Sequence, residues 1–136
     1  MITPELKIPS VLYVQMLSHA QEEWPNEACG IIAGDEETVL KIYPAENQEK
    51  SPYKFLISPK EQIRILNDIE INGYKMIGVY HSHPNTDPYP SETDLKFSLD
   101  LDMFLAIISL KRREKPRLCI FKIDHHIIKE IHYKLI

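Results

Sequence analysis

Four short apolar runs limit what this chain can become. Residues 28–34, 76–80, 103–110 and 118–123 are each bounded by turn-forming or charged residues. Runs of that length read as strands buried inside a sheet. Two further strands flank them: residues 38–43, after the turn Gly34-Asp35-Glu36-Glu37, and residues 127–134, after the turn Asp124-His125. Helical segments interrupt the series. Ser10 caps a helix over 11–23, with Val11, Leu12, Met16 and Ala20 on one side and Pro25 beyond its end. Ser58-Pro59-Lys60-Glu61 supplies a cap, a first-turn proline and a capping-box glutamate ahead of Ile63, Leu66 and Ile69, and Gly73 gives the stop. Residues 44–53 are polar and turn-rich, so they read as a loop. Residues 55–57 read as a short strand, and Ser91 caps a third helix over 92–99. Helices mixed with hairpin-linked strands define an α/β fold class, a mixed sheet flanked by helices. The 136 residues fit a single domain, 1–136.

Composition excludes several functions. A net charge of −4, from 16 basic and 20 acidic residues, argues against a nucleic-acid partner. The basic cluster Lys111-Arg112-Arg113-Glu114-Lys115 lies between two apolar runs and reads as a solvated hairpin loop. No apolar run approaches the ~20 residues that cross a bilayer, which argues against a membrane partner. MITPELKIPS lacks the features of a secretory signal, so a cytoplasmic location is expected. Cys29 and Cys119 are too far apart in sequence for a metal knuckle and read as buried free thiols, with Cys29 close in sequence to a residue of interest below.

That interest centres on His81-Ser82-His83-Pro84, at the end of a buried strand. A period of two puts His81 and His83 on one side of the strand. Two neutral imidazoles facing one point suit zinc, which bonds histidine nitrogen at ~2.0–2.1 Å. A catalytic zinc wants a third protein ligand and an open position for water. Asp94 is the best-placed candidate, at the third position of the helix capped by Ser91, where the helix dipole favours its charge. Water acidified by the metal needs a base, which then passes the proton to the leaving amine. Spacing does not choose among the 20 acidic residues. Glu27 is set apart by its place at a helix-to-strand junction just before a buried strand. Ser91 is available to steady a developing oxyanion. Each residue also has a plainer reading: the histidines as surface groups, Ser91 as an N-cap, Asp94 as a dipole partner, Glu27 as a surface carboxylate. His19, His125, His126 and His132 read as structural.

Taken together, Glu27, His81-Ser82-His83-Pro84 and Ser91-Glu92-Thr93-Asp94 resemble the JAMM (MPN+, Mov34/PAD-1) metallopeptidase family. The family's ten-residue gap between the second histidine and the aspartate is present. Pro25-Asn26-Glu27-Ala28-Cys29-Gly30, Ser51-Pro52-Tyr53-Lys54-Phe55 and Gly78-Val79-Tyr80 resemble its compact prokaryotic branch. The resemblance implies a cytidine-deaminase-like (JAB1/MPN) α/β/α sandwich. It implies one zinc per chain held by His81, His83 and Asp94, with Glu27 activating water and Ser91 steadying the tetrahedral intermediate. It further implies cleavage after the C-terminal Gly-Gly of a ubiquitin-like protein or a β-grasp sulfur carrier. Loop 44–53 and residues 85–90 are expected to rim the groove for that tail. Three other readings compete. A non-catalytic scaffold of the same fold would not require the full ligand set. A nucleoside-deaminase-like zinc hydrolase would carry Cys-x-x-Cys. A DNA-repair relative would read His-Asn-His-Pro and favour a basic surface.

Overall fold

The computed structural model describes residues 5–97 and 102–136. Among them the order is β1 (Leu6–Ile8), α1 (Ser10–Glu23), β2 (Cys29–Gly34), β3 (Val39–Ala45), α2 (Pro59–Ile71), β4 (Lys75–His83), α3 (Glu92–Phe97), β5 (Phe104–Ser109), β6 (Arg117–Asp124), β7 (Ile127–Ile131) and β8 (Tyr133–Leu135). Six strands form one mixed sheet in the order β3-β2-β4-β5-β6-β7. Every neighbouring pair is antiparallel except β4 and β5. A parallel pair needs a crossover of a dozen or more residues. Here the chain leaves β4 at His83 and returns at Phe104, passing through a proline-rich loop and α3. The carboxyl ends of strands, where such crossovers begin, are where α/β sheets gather binding groups.

Side chains alternate across the sheet, so each face has its own core. On one face, Met16 and Ala20 of α1 pack with Ile32, Tyr80, Ala106 and Ile108. Tyr80 is fully buried, and its hydroxyl lies 2.8 Å from Nδ1 of His19, which gives that histidine a structural partner. On the other face, Ile65 and Ile69 of α2 pack with Cys29, Ile31 and Tyr43. Leu105, Ile107 and Phe121 form a further cluster under β5 and β6. A two-stranded parallel ribbon, β1 with β8, ties the two edges of the main sheet together. β8 follows β7 after one residue, and Lys7 of β1 bridges to Thr38 just before β3. Edges linked in this way are less open to pairing with other chains. No described helix is long and apolar enough to cross a membrane.

Several expectations are corrected. The strand expected over 127–134 breaks at His132: its first part pairs with β6 and its second with β1. β1 has only three residues, too few for a periodic signal, so its demand for a partner was invisible. Residues 55–57 do not form a strand. Leu56 bonds locally, its N–H to Asn47 Oδ1 (3.2 Å) and its carbonyl to the N–H of Gln48 (2.9 Å). Val11 is 73% exposed; nine residues from Ala20, it lies half a turn away around the helix. In α2 the buried pair is Ile65 and Ile69, while Ile63 and Leu66 face outward. Glu61 does not complete a capping box. Ser58 accepts its N–H at 3.2 Å, but the Glu61 carboxylate accepts from the N–H of Glu46 at 2.9 Å. The third helix is Glu92–Phe97, and residues 98 and 99 of the expected 92–99 lie outside the described residues. Cys119 is half-buried rather than buried.

Gly30 shows how tightly β2 meets its neighbours. A methyl group there would run into the Tyr80 ring and the Tyr43 carbonyl, and Tyr80 is held by His19. Gly30→Ala is therefore expected to destabilise the fold by about 1–3 kcal/mol in urea denaturation. Unchanged stability would contradict this packing.

Candidate metal centre

The site is built from strand register. β2 and β4 are antiparallel, with Cys29 opposite His81 and Gly30 opposite Tyr80. The pairing continues past the start of β2. The Ser82 N–H donates to the Ala28 carbonyl (3.0 Å), and the Ala28 N–H donates to Ser82 Oγ (2.8 Å). One step further along, that register sets Glu27 opposite His83. Their side chains share a face, because odd-numbered positions of both strands point the same way. Ser82, buried and turned to the other side, serves as the clasp.

The crossover brings the third group. Ser91 and Asp94 cap α3 reciprocally: the Asp94 N–H donates to Ser91 Oγ (3.1 Å), and the Ser91 N–H donates to Asp94 Oδ2 (2.9 Å). This is a capping box with aspartate in the glutamate place. It fixes the Asp94 carboxylate over the end of β4, where Oδ1 lies 3.0 Å from His81 Nε2 and Oδ2 lies 3.0 Å from His83 Nε2. The two imidazole nitrogens are 3.2 Å apart. The side chains of all three residues are nearly closed to solvent.

The donor set fits a small divalent cation. The Asp87 carbonyl lies 2.8 Å from His83 Nδ1, which must carry the proton to bond it. A neutral His83 therefore turns the lone pair of Nε2 toward Asp94. Acceptors only 3.0 Å apart repel unless positive charge lies between them. Ligands of a tetrahedral ion with bonds of ~2.0–2.1 Å stand roughly 3.3 Å from one another, close to the spacings seen here. His81 is held differently: its Nδ1 has no partner among the described residues, and its ring stacks on Phe55 at 4.9 Å and 28°.

Protonation follows the same demand. Burial works against charge on His83, but Asp94, the Asp87 carbonyl and Glu27 together raise its pKa. Burial would raise Asp94, yet hydrogen bonds with His81, His83 and the Ser91 N–H hold it well below the usual carboxylate range. Glu27 is pushed up to about 8, by burial first, with His83 opposing and Asp94 adding. Its Oε1 is buried without a hydrogen-bond partner among the described residues. A carboxylate of that kind accepts protons near neutral pH. Cys29, opposite His81 in the sheet, has its thiol pushed up to about 12, chiefly by burial; it stays protonated and inert.

A groove of about 430 Å³ opens beside these residues. Val79 and Leu105 help line it from the sheet, Phe55 and Leu56 from the loop after β3, and His81 and Asp94 reach it from the centre. The structure thus brings His81, His83 and Asp94 together, with Glu27 across from His83 and Ser91 against Asp94. Glu49 and Lys54, beside the groove, pair at 3.7 Å. Of residues 85–90, Tyr89 packs edge-on against Phe121, 5.6 Å between ring centroids. Ser82, Phe55 and Asn47 shape the centre without standing out in sequence. Ser82 and Phe55 lay inside stretches that carry the family resemblance, but Asn47 did not, and Phe55 and Asn47 sit where no periodicity operates.

Comparison with known proteins places this arrangement among relatives. Residues 9–120 match the family described as prokaryotic homologs of the JAB domain. A CysO-cysteine peptidase of Mycobacterium tuberculosis is 31% identical over 127 residues, covering 92% of this chain and 87% of that protein. A desampylase of Haloferax volcanii is 42% identical over 86 residues, covering 58% of this chain and 62% of that protein. The solution structure of a Desulfitobacterium hafniense protein superposes with a TM-score of 0.88 at 33% identity, covering 96% of this chain and 92% of that one.

A divalent first-row cation added to the protein is expected to raise its melting temperature. The gain in stability should be about 2.7 kcal/mol at a hundredfold excess over Kd. His83→Ala and Asp94→Ala should each abolish the gain. A shift of wild-type size in either variant would contradict the shared centre.

Proposed function

The chain belongs to the family of prokaryotic JAB-domain homologs, and from that membership we propose that it is a zinc-dependent peptidase acting after the C-terminal Gly-Gly of a ubiquitin-like or sulfur-carrier protein. His81, His83 and Asp94 are the zinc ligands in this reading, and residues 1–136 act as one catalytic unit. The observation that carries it is the meeting of two imidazole nitrogens, 3.2 Å apart, with the Asp94 carboxylate, each nitrogen 3.0 Å from one of its oxygens, facing a buried carboxylate beside an apolar groove. The names of the two relatives support the substrate class: one is a peptidase for CysO-cysteine and the other a desampylase.

When bound, zinc would bring the pKa of a coordinated water toward ~7 and polarise the scissile carbonyl. The chain's own residues do the rest. Glu27 takes the water proton on its free carboxylate oxygen and delivers it to the leaving amine. Ser91 accepts the Asp94 N–H on its hydroxyl oxygen, which leaves the hydroxyl proton for the developing oxyanion. His81 and His83 keep their Nε2 atoms on the metal side, one through Phe55 and the other through the Asp87 carbonyl. The groove passes a tail with no side chains, which explains a preference for glycine on the acyl side. A non-catalytic scaffold would need neither the ligand set nor a buried base beside it.

Zinc-loaded protein is expected to release the extension from β-grasp carriers lengthened past Gly-Gly, seen as a mass loss at the glycine. Glu27→Gln should keep one zinc per chain and lose at least about a hundredfold in kcat. Ser91→Ala should lose ~10²–10³-fold, as when an oxyanion donor is removed. Unchanged kcat in zinc-replete Glu27→Gln would overturn its assignment as the base.

A further inference from the structure

Asn47 is 7% exposed, in a loop that is otherwise largely polar. Its carboxamide binds four partners. Nδ2 donates to the carbonyls of Glu27 and Lys54, both at 3.0 Å. Oδ1 accepts from the N–H groups of Glu49 (3.0 Å) and Leu56 (3.2 Å). A carboxamide has two N–H donors and one acceptor oxygen with two lone pairs, so none of its capacity is left over.

These partners belong to two separate parts of the molecule. Glu49, Lys54 and Leu56 line the groove, on either side of the Phe55 that stacks on His81. Glu27 belongs to the centre. It stands two residues ahead of β2, beyond the ladder, and its backbone is held instead by the same loop: its N–H donates to the Ser51 carbonyl (2.8 Å) and its carbonyl accepts from Asn47. With Oε1 free of partners among the described residues, the aim of the Glu27 side chain is set by that backbone.

We infer that Asn47 is a positioning residue that links occupation of the groove to the placement of the Glu27 carboxylate. A tail lying against Lys54 and Leu56 steadies the wall. The wall steadies the carboxamide, and the carboxamide fixes the carbonyl of the base. This rests on the proposed role of Glu27. It adds a reason for turnover to depend on a filled groove.

Asn47→Asp weakens the two halves unequally. The carboxylate keeps the wall bonds from the N–H groups of Glu49 and Leu56 and loses the donor bonds to the carbonyls of Lys54 and Glu27, so Glu27 loses its only link to residue 47 while the wall keeps two of three. Asn47→Ala loses all four. With zinc-loaded full chain and a carrier extended past Gly-Gly, Asn47→Asp is expected to lower kcat at least tenfold per folded, zinc-bearing chain while KM stays within threefold. Asn47→Ala should lower kcat similarly and raise KM more than threefold. A role in folding alone would cut both variants only in proportion to folded chain, and that result would overturn the inference. Hydrogen exchange gives a readout without turnover. A peptide ending in Gly-Gly should slow the amides of both Glu27 and Leu56 in the wild type, but only Leu56 in Asn47→Asp. Equal slowing at both amides in the variant, or none in the wild type, would overturn the coupling. If the wild type shows the linked exchange yet cleaves no extended carrier, the coupling stands and the proposed substrate falls. If Glu27→Gln is inactive while Asn47→Asp is normal, the reverse holds.

Discussion

The reciprocal pair of hydrogen bonds between Ala28 and Ser82 sets everything else in place. It extends the pairing of β2 and β4 by one step, to Ala28 and Ser82, and the same register carried one residue further sets Glu27 against His83. A slip of one residue would turn the odd-numbered side chains to the other face, moving both histidines away from the groove. The buried residues around the clasp resist such a slip. Cys29 and Ile31 pack toward α2, while Ile32 and Tyr80 pack toward α1. The core thus fixes the register, and the register fixes the chemistry. The parallel pairing of β4 with β5 supplies the remaining element, because its crossover returns Asp94 over the strand end where the histidines emerge.

What converges there is electrostatically unfinished. Two imidazole nitrogens and a carboxylate meet at hydrogen-bonding distance with little solvent access. Burying polar atoms without compensation is costly, so the centre calls for positive charge. The opposite shifts of His83 and Asp94 express the same demand in protons. Glu27 differs: close enough to feel both, it is raised chiefly by burial. A cation beside it would pull that value down. The structure therefore separates a pair of roles by environment, three groups that attract a cation and one that holds a proton near neutral pH.

Much of this was legible in the sequence. The apolar runs gave the strands, and the parity of His81 and His83 gave a shared direction. Ser91 and Asp94 gave the helix start that turned out to be a capping box. Glu27 stood out only through its junction and through the resemblance, since His83, which it faces in the fold, lies more than fifty residues away in sequence. What stayed hidden is what depends on long-range pairing or on loops. β1 is too short to carry a period, so the split of the final strand could not be read. Val11, Ile63 and Leu66 are apolar yet exposed, and a pattern of apolar residues does not say which of two adjacent stripes is buried. Asn47 sits in a polar loop where asparagine is common, and only the folded chain shows that its four partners join Glu27 to the groove.

The proposed centre has a first coordination shell of two histidine nitrogens, one carboxylate oxygen and solvent. X-ray absorption at the zinc edge of the metal-loaded protein measures that shell directly. Four nitrogen or oxygen ligands at about 2.0–2.1 Å are the predicted result. Sulfur scattering at about 2.3 Å would mean that Cys29 had displaced one of the three and would contradict the account.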